Sequence, residues 1–181
     1  MRVVAGKVRG TALKTPDGME TRPTTDRVKE AMFSIIQFDL PGAKVLDLFA
    51  GTGQLGIEAL SRGARSAVFV DRSDKACRLV RENLLKTKLD SCAKIIINDY
   101  ASYLQSCNES FDIILLDPPY AEVFLEKCLK LITEIDILHS GGIIVCERPI
   151  DKDLSLDFLG YTRSKDYKYG NTLLTVYRKY Q

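Results

Sequence analysis

Short apolar runs alternate with longer amphipathic stretches along most of this chain. Val45 to Phe49, Ala67 to Val70, Lys94 to Ile97, Ile113 to Leu116 and Ile143 to Cys146 are strand-length runs with little alternation between polar and apolar positions. Runs of that kind belong to strands covered on both faces, as in a parallel sheet. The segments between them carry helical periodicity, and strands alternating with helices predict an α/β fold. Two later segments, Tyr161 to Tyr167 and Thr172 to Tyr177, alternate around Gly170-Asn171 and predict an antiparallel hairpin. At the other end, Arg2-Val3-Val4-Ala5-Gly6 predicts a short strand and a turn. Arg22-Pro23-Thr24-Thr25-Asp26 then opens an amphipathic helix, with Thr24 or Thr25 as its cap and Val28, Met32, Phe33, Ile35 and Ile36 on its apolar side.

With 181 residues and 45% hydrophobic content the chain can bury a full core. No Pro/Gly/Ser-rich linker, repeat or low-complexity tract divides it, so one domain is expected: a core over 39–181, with 1–38 as an amino-terminal extension and helix. The amino terminus lacks the apolar stretch of a signal peptide, and no run approaches the roughly 18 residues that span a bilayer. A cytoplasmic monomer with no membrane partner is the expectation. Cys77, Cys92, Cys107, Cys128 and Cys146 are scattered, without a C-x-x-C pair for zinc or redox work, and are read mostly as buried or half-buried thiols. His139, the sole histidine, falls before Gly141-Gly142 in a predicted loop, so neither a histidine-based triad nor a metal cluster is expected. Net charge is +2, but it is unevenly spread. Seven basic residues oppose four acids through Glu30, and five oppose one from Gly160 onward, leaving an acidic centre. Basic ends around an acidic core suit a polyanion that touches the ends, although solvated termini are often charged for no such reason.

Candidate chemistry gathers at the carboxyl ends of the predicted strands, where open α/β sheets place ligands. After the first comes Ala50-Gly51-Thr52-Gly53-Gln54-Leu55-Gly56, which satisfies G-x-G-x-x-G and by itself would serve a dinucleotide equally well. The second strand ends in Asp71, about 20 residues on, where a ribose-binding acid belongs. The third ends in Asn98-Asp99-Tyr100. Asp71 and Asp99 could instead cap the helices that follow them. The fourth runs into Asp117-Pro118-Pro119-Tyr120. Two prolines stiffen that loop and remove two N–H donors, Asp117 adds a carboxylate acceptor, and Tyr120 adds a flat aromatic face. A planar ligand bearing an NH2 group would fit it, amino hydrogens on Asp117 and the Pro118 carbonyl, ring stacked on Tyr120. Glu147, ending the fifth strand, either lines this pocket or pairs with Arg148.

Asp117 to Tyr120 resembles the (D/N)-P-P-(Y/F) motif of S-adenosylmethionine-dependent amino methyltransferases, and D-L-F-A-G-T-G from Asp47 resembles the first motif of class I methyltransferases. Together with R-V-V-A-G-x-x-R-G-x-x-L, R-P-T-T-D-R-V-K-E-A-M-F and E-A-L-S-R-G-A, these motifs are similar in order, across nearly the whole chain, to the bacterial small-subunit ribosomal RNA guanine-N2 methyltransferases, the RsmD family. The resemblance implies a Rossmann-like class I fold, a mostly parallel seven-stranded sheet with a carboxyl-terminal antiparallel hairpin and a short amino-terminal extension. It implies S-adenosyl-L-methionine as cofactor and 16S ribosomal RNA, free or in a small-subunit assembly intermediate, as partner. Asp47 would help hold the methionine end, Gly51 and Gly53 would pass beneath the ribose, and Phe49, Ala50, Asp71, Arg72, Asn98, Asp99 and Tyr100 would complete the cofactor site. Asp117, Pro118, Pro119 and Tyr120 would present the base, with Arg9, Arg22, Thr24 and Arg27 toward RNA. A DNA adenine-N6 methyltransferase would share D-P-P-Y, but no stretch is long enough for the usual target-recognition region. A protein glutamine methyltransferase more often carries Asn at the position of Asp117. An NAD-binding oxidoreductase would leave Asp117 to Tyr120 unexplained.

Overall fold

The computed structural model describes residues 1–16, 23–118, 121–151, 154 and 160–180. Twelve of its elements build the site: α1 (Pro23–Ile35), β1 (Lys44–Asp47), α2 (Gln54–Ser61), β2 (Ser66–Asp71), α3 (Asp74–Thr87), β3 (Ala93–Ile97), α4 (Tyr100–Ser106), β4 (Phe111–Leu116), α5 (Ala121–Ile135), β5 (Leu138–Pro149), β6 (Tyr161–Tyr169) and β7 (Thr172–Lys179). The strands form one seven-stranded sheet in the order β3-β2-β1-β4-β5-β7-β6. Neighbours from β3 to β5 run parallel, while β7 lies antiparallel to both β5 and β6. This is the expected α/β architecture with its closing hairpin, and Gly170 makes the turn at φ 60°.

Chain order reverses at the β1–β4 boundary: β2 and β3 step away on one side, β5 and the hairpin on the other. Such a switch point opens a crevice at the carboxyl ends of the two central strands.

Both faces of the sheet are covered, which explains the unbroken apolar runs. Val45, Phe69, Ile113, Leu115 and Val145 pack with Met32 and Phe33 of α1 and Ile36 just after it, Ile57 and Leu60 of α2, and Val80 and Leu84 of α3. Their sequence neighbours Leu46, Val68, Val70, Ile114, Leu116 and Cys146 pack on the other face with Leu104 of α4 and Leu125, Leu129 and Ile132 of α5. The apolar side expected of α1 is buried at Val28, Met32, Phe33 and Ile36 and half-buried at Ile35. Of the cysteines, Cys77, Cys128 and Cys146 are buried, Cys107 half-buried and Cys92 exposed.

Most strands run a residue or more beyond the expected limits, and two of the differences bear on the site. β1 stops at Asp47 rather than Phe49 because the chain leaves the sheet to enter the glycine loop. β5 begins at Leu138, so His139 lies within a strand and not in a loop. It remains exposed, its Nδ1 2.8 Å from Asp112 Oδ1. A register irregularity between Phe111 and Ile113 lets Leu138 pair with Phe111 and Ile143 with Ile113 despite the glycines between them.

Candidate functional site

Asp47 is 1% exposed, and its two oxygens face different tasks. Oδ2 accepts from the Gly56 N–H at 2.9 Å. That N–H belongs to the first turn of α2, whose N-cap Gly53 is left-handed (φ 79°) and has no side chain to cap with. The strand-end carboxylate therefore does the capping. Oδ1 has no hydrogen-bond partner among the described residues. Burial, opposed by the Gly56 bond and reinforced by Asp117 and Asp71, pushes the Asp47 pKa up to about 7. The three loop glycines divide the work. Gly51 (φ 54°) leaves open space where a Cβ would stand, as a loop passing beneath a ligand requires, and Gly53 makes the turn into α2. Gly56 serves packing: a Cβ there would stand 2.2 Å from the Phe69 ring.

Asp71 ties the next strand end to this loop. Its Oδ2 accepts from the Gly51 N–H at 2.9 Å and its Oδ1 from the Ser73 N–H at 2.8 Å. The capping alternative for Asp71 is corrected here, since Ser73 caps α3 by accepting from the Ala76 N–H. Asp99 does cap α4, accepting from the Ala101 and Ser102 N–H groups. Hydrogen bonds from Ser102 and Ala101 hold its carboxyl below the usual range. Beside these groups opens a cavity of about 270 Å³, lined by Leu48, Phe49, Asp71, Arg72, Asn98, Asp99, Tyr100 and Phe124. Phe49 and Tyr100 approach at 5.6 Å between ring centroids, and Phe124 meets Tyr100 edge-on at 5.9 Å. Six residues expected at a cofactor site are thus together in one apolar cavity with a polar margin. Ala50, Gly51, Gly53 and Asp47 lie in the adjoining loop and strand end. Sequence reasoning missed Leu48 and Phe124; an aromatic residue in the first turn after D-P-P-Y was the available signal for the latter.

On the other side of β1, β4 delivers Asp117 and the buried Pro118 to the same edge. Pro119, Tyr120 and Arg22 lie outside the described residues. By the two-residue period of the strands, Asp47, Asp117 and Glu147 all point to the α1–α2–α3 face, as do Val45, Leu115 and Val145 before them. Leu116 pairs with Cys146, so Asp117, the first residue past β4, and Glu147, still within β5, are the next residues beyond that pair. Burial raises both pKa values, and Asp117 raises that of Glu147 further. Arg148 turns to the opposite face, where it donates to Thr175 Oγ1 at 2.8 Å and Asp166 Oδ2 at 2.9 Å. Of the two readings of Glu147, pairing with Arg148 is therefore excluded.

The amino-terminal segment is clamped over α2 by a buried acid. Glu58, 0% exposed, accepts from the Val4 N–H at 2.7 Å, the Ala5 N–H at 2.9 Å and Arg62 Nε at 2.8 Å. Lys29, 2% exposed, crosses from α1 to donate to the Arg2 carbonyl at 2.6 Å and stands 3.9 Å from Glu58. Buried Asn83 joins the backbone of Lys14 to that of Thr52 in the glycine loop. Of the residues expected to face RNA, Arg27 is exposed on α1 and Thr24 lies in the first turn of that helix. Arg9 is exposed in a turn docked on Ser61, at the far end of α2 from the glycine loop, a separation of about 12 Å along eight helical residues.

Fold, switch-point crevice and strand-end carboxylates together define a protein of the class I methyltransferase fold. The chain belongs to the family described as Conserved hypothetical protein 95, whose model matches residues 1–178. YlbH of Bacillus subtilis (strain 168), provisionally named an rRNA methyltransferase, is 41% identical over 182 residues, covering 99% of each chain. Ribosomal RNA small subunit methyltransferase D of Escherichia coli (strain K12) is 30% identical over 179 residues, 99% of this chain and 90% of that one. The solved structure of E. coli yhhF, provisionally named a methyltransferase, superposes with a TM-score of 0.90 at 26% identity, covering 99% of this chain and 98% of that one. An RNA methyltransferase from Salinibacter ruber, solved in complex with S-adenosyl-L-homocysteine, shares the fold with a TM-score of 0.69 at 14% identity, covering 90% and 95%. The family resemblance drawn from the motifs is borne out by these relationships.

Proposed function

We propose that this protein transfers a methyl group from S-adenosyl-L-methionine to the exocyclic N2 amine of one guanine in 16S ribosomal RNA. The observation that carries the reading is the juxtaposition at the switch point: an aromatic-lined cavity at β2 and β3, an unpartnered Asp47 oxygen at β1, and the Asp117 carboxylate at the end of β4. The donor set fits the cofactor. Phe49, Tyr100 and Phe124 supply ring surface for an adenine, and Asp71 keeps lone pairs for ribose hydroxyls. Asp47 Oδ1 suits a cationic amine. Five carboxyls, Asp47, Asp71, Asp99, Asp117 and Glu147, gather at these strand ends, which favours a ligand bearing positive charge. When bound, the cofactor supplies an electrophilic methyl group.

The protein's own contribution is orientation. A guanine N2 lone pair is delocalised into the ring and is a poor nucleophile at neutral pH. Asp117 and the Pro118 carbonyl accept the two amino hydrogens, which favours a more pyramidal nitrogen and aims its lone pair across the crevice. The base must leave its stack to reach this depth, at a cost of a few kcal/mol that stacking on Tyr120 offsets in part. The amino-terminal extension is held against α2 and the glycine loop, and Arg9, Arg22, Thr24 and Arg27 would supply its contacts to RNA.

The test is incubation with radiolabelled methyl donor and small ribosomal particles from cells lacking the protein, followed by mapping of the labelled nucleoside. Label confined to one N2-methylguanosine is the expected result. Label on adenine or on protein, or no label on free rRNA and particles alike, overturns the reading.

A further inference from the structure

Glu147 is absent from the D-P-P-Y motif, yet it completes the acceptor wall of the crevice. It follows Cys146 on β5 as Asp117 follows Leu116 on β4, and Leu116 and Cys146 are register partners. Neighbouring strands lie about 4.8 Å apart, so the two carboxyls are adjacent at one height on one face. Among the described residues neither has a hydrogen-bonding or cationic partner. Among the described residues around them, Asp47 approaches from β1, Leu174 opposes Glu147 from β7, Tyr167 lies beyond it on β6 with Lys165 over its ring, and α1 packs this face with Val28, Met32 and Phe33. Two adjacent acceptors without a facing donor call for a ligand edge that carries N–H groups in a row.

We infer that Glu147 is a specificity-determining residue that accepts the guanine N1–H while Asp117 accepts from the neighbouring N2 amine. This rests on the function proposed above and narrows it. Guanine presents its N2 hydrogens and N1–H side by side on the Watson–Crick edge. Adenine and cytosine flank their amines with a ring nitrogen that has only a lone pair, and that lone pair would face a carboxylate oxygen. An unpaired acceptor of this kind is what lets a polar site reject a near-isosteric base. Burial beside Asp117 raises the Glu147 pKa, so Glu147 accepts from N1 only after losing its proton, and the discrimination belongs to the alkaline side of its titration.

The test compares guanine with 2,6-diaminopurine, which keeps the N2 amine but has a lone pair at N1. Small subunits reconstituted with either base at the labelled position are the substrates. On the alkaline side of the Glu147 titration, wild-type protein should favour guanine by about 10- to 100-fold in kcat/KM. Glu147→Gln, whose amide can accept from or donate to N1, should bring that ratio within about threefold while S-adenosylhomocysteine affinity stays unchanged. The KM for guanine particles should fall as pH rises through the Glu147 titration in wild type and lose that dependence in Glu147→Gln. Glu147→Leu should lose activity on both bases. Equal wild-type rates on the two bases, or an unchanged ratio in Glu147→Gln, would overturn the inference and leave guanine methylation standing. Absence of guanine methylation by wild type would instead overturn the function itself.

Discussion

Asp47 and Asp117 carry the same functional group on adjacent strands, and their surroundings give them different work. Asp47 spends one oxygen on the α2 cap, so it is tied to the glycine loop and to whatever rests on that loop. Asp117 has no such bond and faces the crevice. Replacing Asp117 with Ala should keep S-adenosylhomocysteine affinity within a few fold and reduce methyl transfer by at least about 100-fold. Calorimetry and single-turnover assays check the two halves separately, and a parallel loss of both would make Asp117 a cofactor ligand. Both aspartates were legible as candidate site residues, Asp117 because it ends a hydrophobic run and Asp47 because it opens D-L-F-A-G-T-G. The division between Asp47 Oδ1 and Oδ2 was not, since it depends on where α2 begins in space.

At the scale of elements, the joint between the amino-terminal segment and α2 shows how a motif can hide its reason. E-A-L-S-R-G-A gave no hint that Glu58 would be buried. In the fold its carboxylate holds two backbone N–H groups and Arg62, with Lys29 alongside, and removing it leaves these donors buried without a partner. Glu58→Ala should cost about 3 to 5 kcal/mol, read as a lower urea midpoint with unchanged m-value. The segment over 1–14 should then become the first site of proteolysis. A cost below about 1 kcal/mol would show that the clamp is dispensable. Similar reasoning covers β5. Its apolar centre, Ile143 to Cys146, was visible, but the stretch through His139 and two glycines joins the strand only because Phe111 offers Leu138 a partner.

At the scale of the whole molecule, Asp47, Asp117 and Glu147 concentrate acidic groups at one buried edge, and all three have raised pKa values. In the unfolded chain such carboxyls ionise near pH 4. The folded protein keeps protons on them to higher pH, for Asp47 to about 7. Between these limits the folded state binds more protons, so the free energy of unfolding falls as pH rises. Asp99, Glu109, Asp112 and Asp166 shift downward and act in the opposite sense only at lower pH. The ligand-free protein should therefore melt at higher temperature at pH 5.5 than at pH 8, and Asp47→Asn should narrow the difference. Scanning calorimetry checks it, and a rise in Tm toward pH 8 would contradict the burial of this edge.

Local pattern alone determined the strand and helix order, the closing hairpin and the edge where the candidate site residues gather, because double-faced burial writes unbroken apolar runs whose polar ends stand out. The motifs named the family by the same means. Which strands became neighbours was decided by packing: the β1–β4 boundary brings residues 70 positions apart, Asp47 and Asp117, to one crevice, and pairing of β4 with β5 sets Glu147 beside them. No periodicity encodes such a meeting, since it follows from two helical layers burying both faces of one sheet.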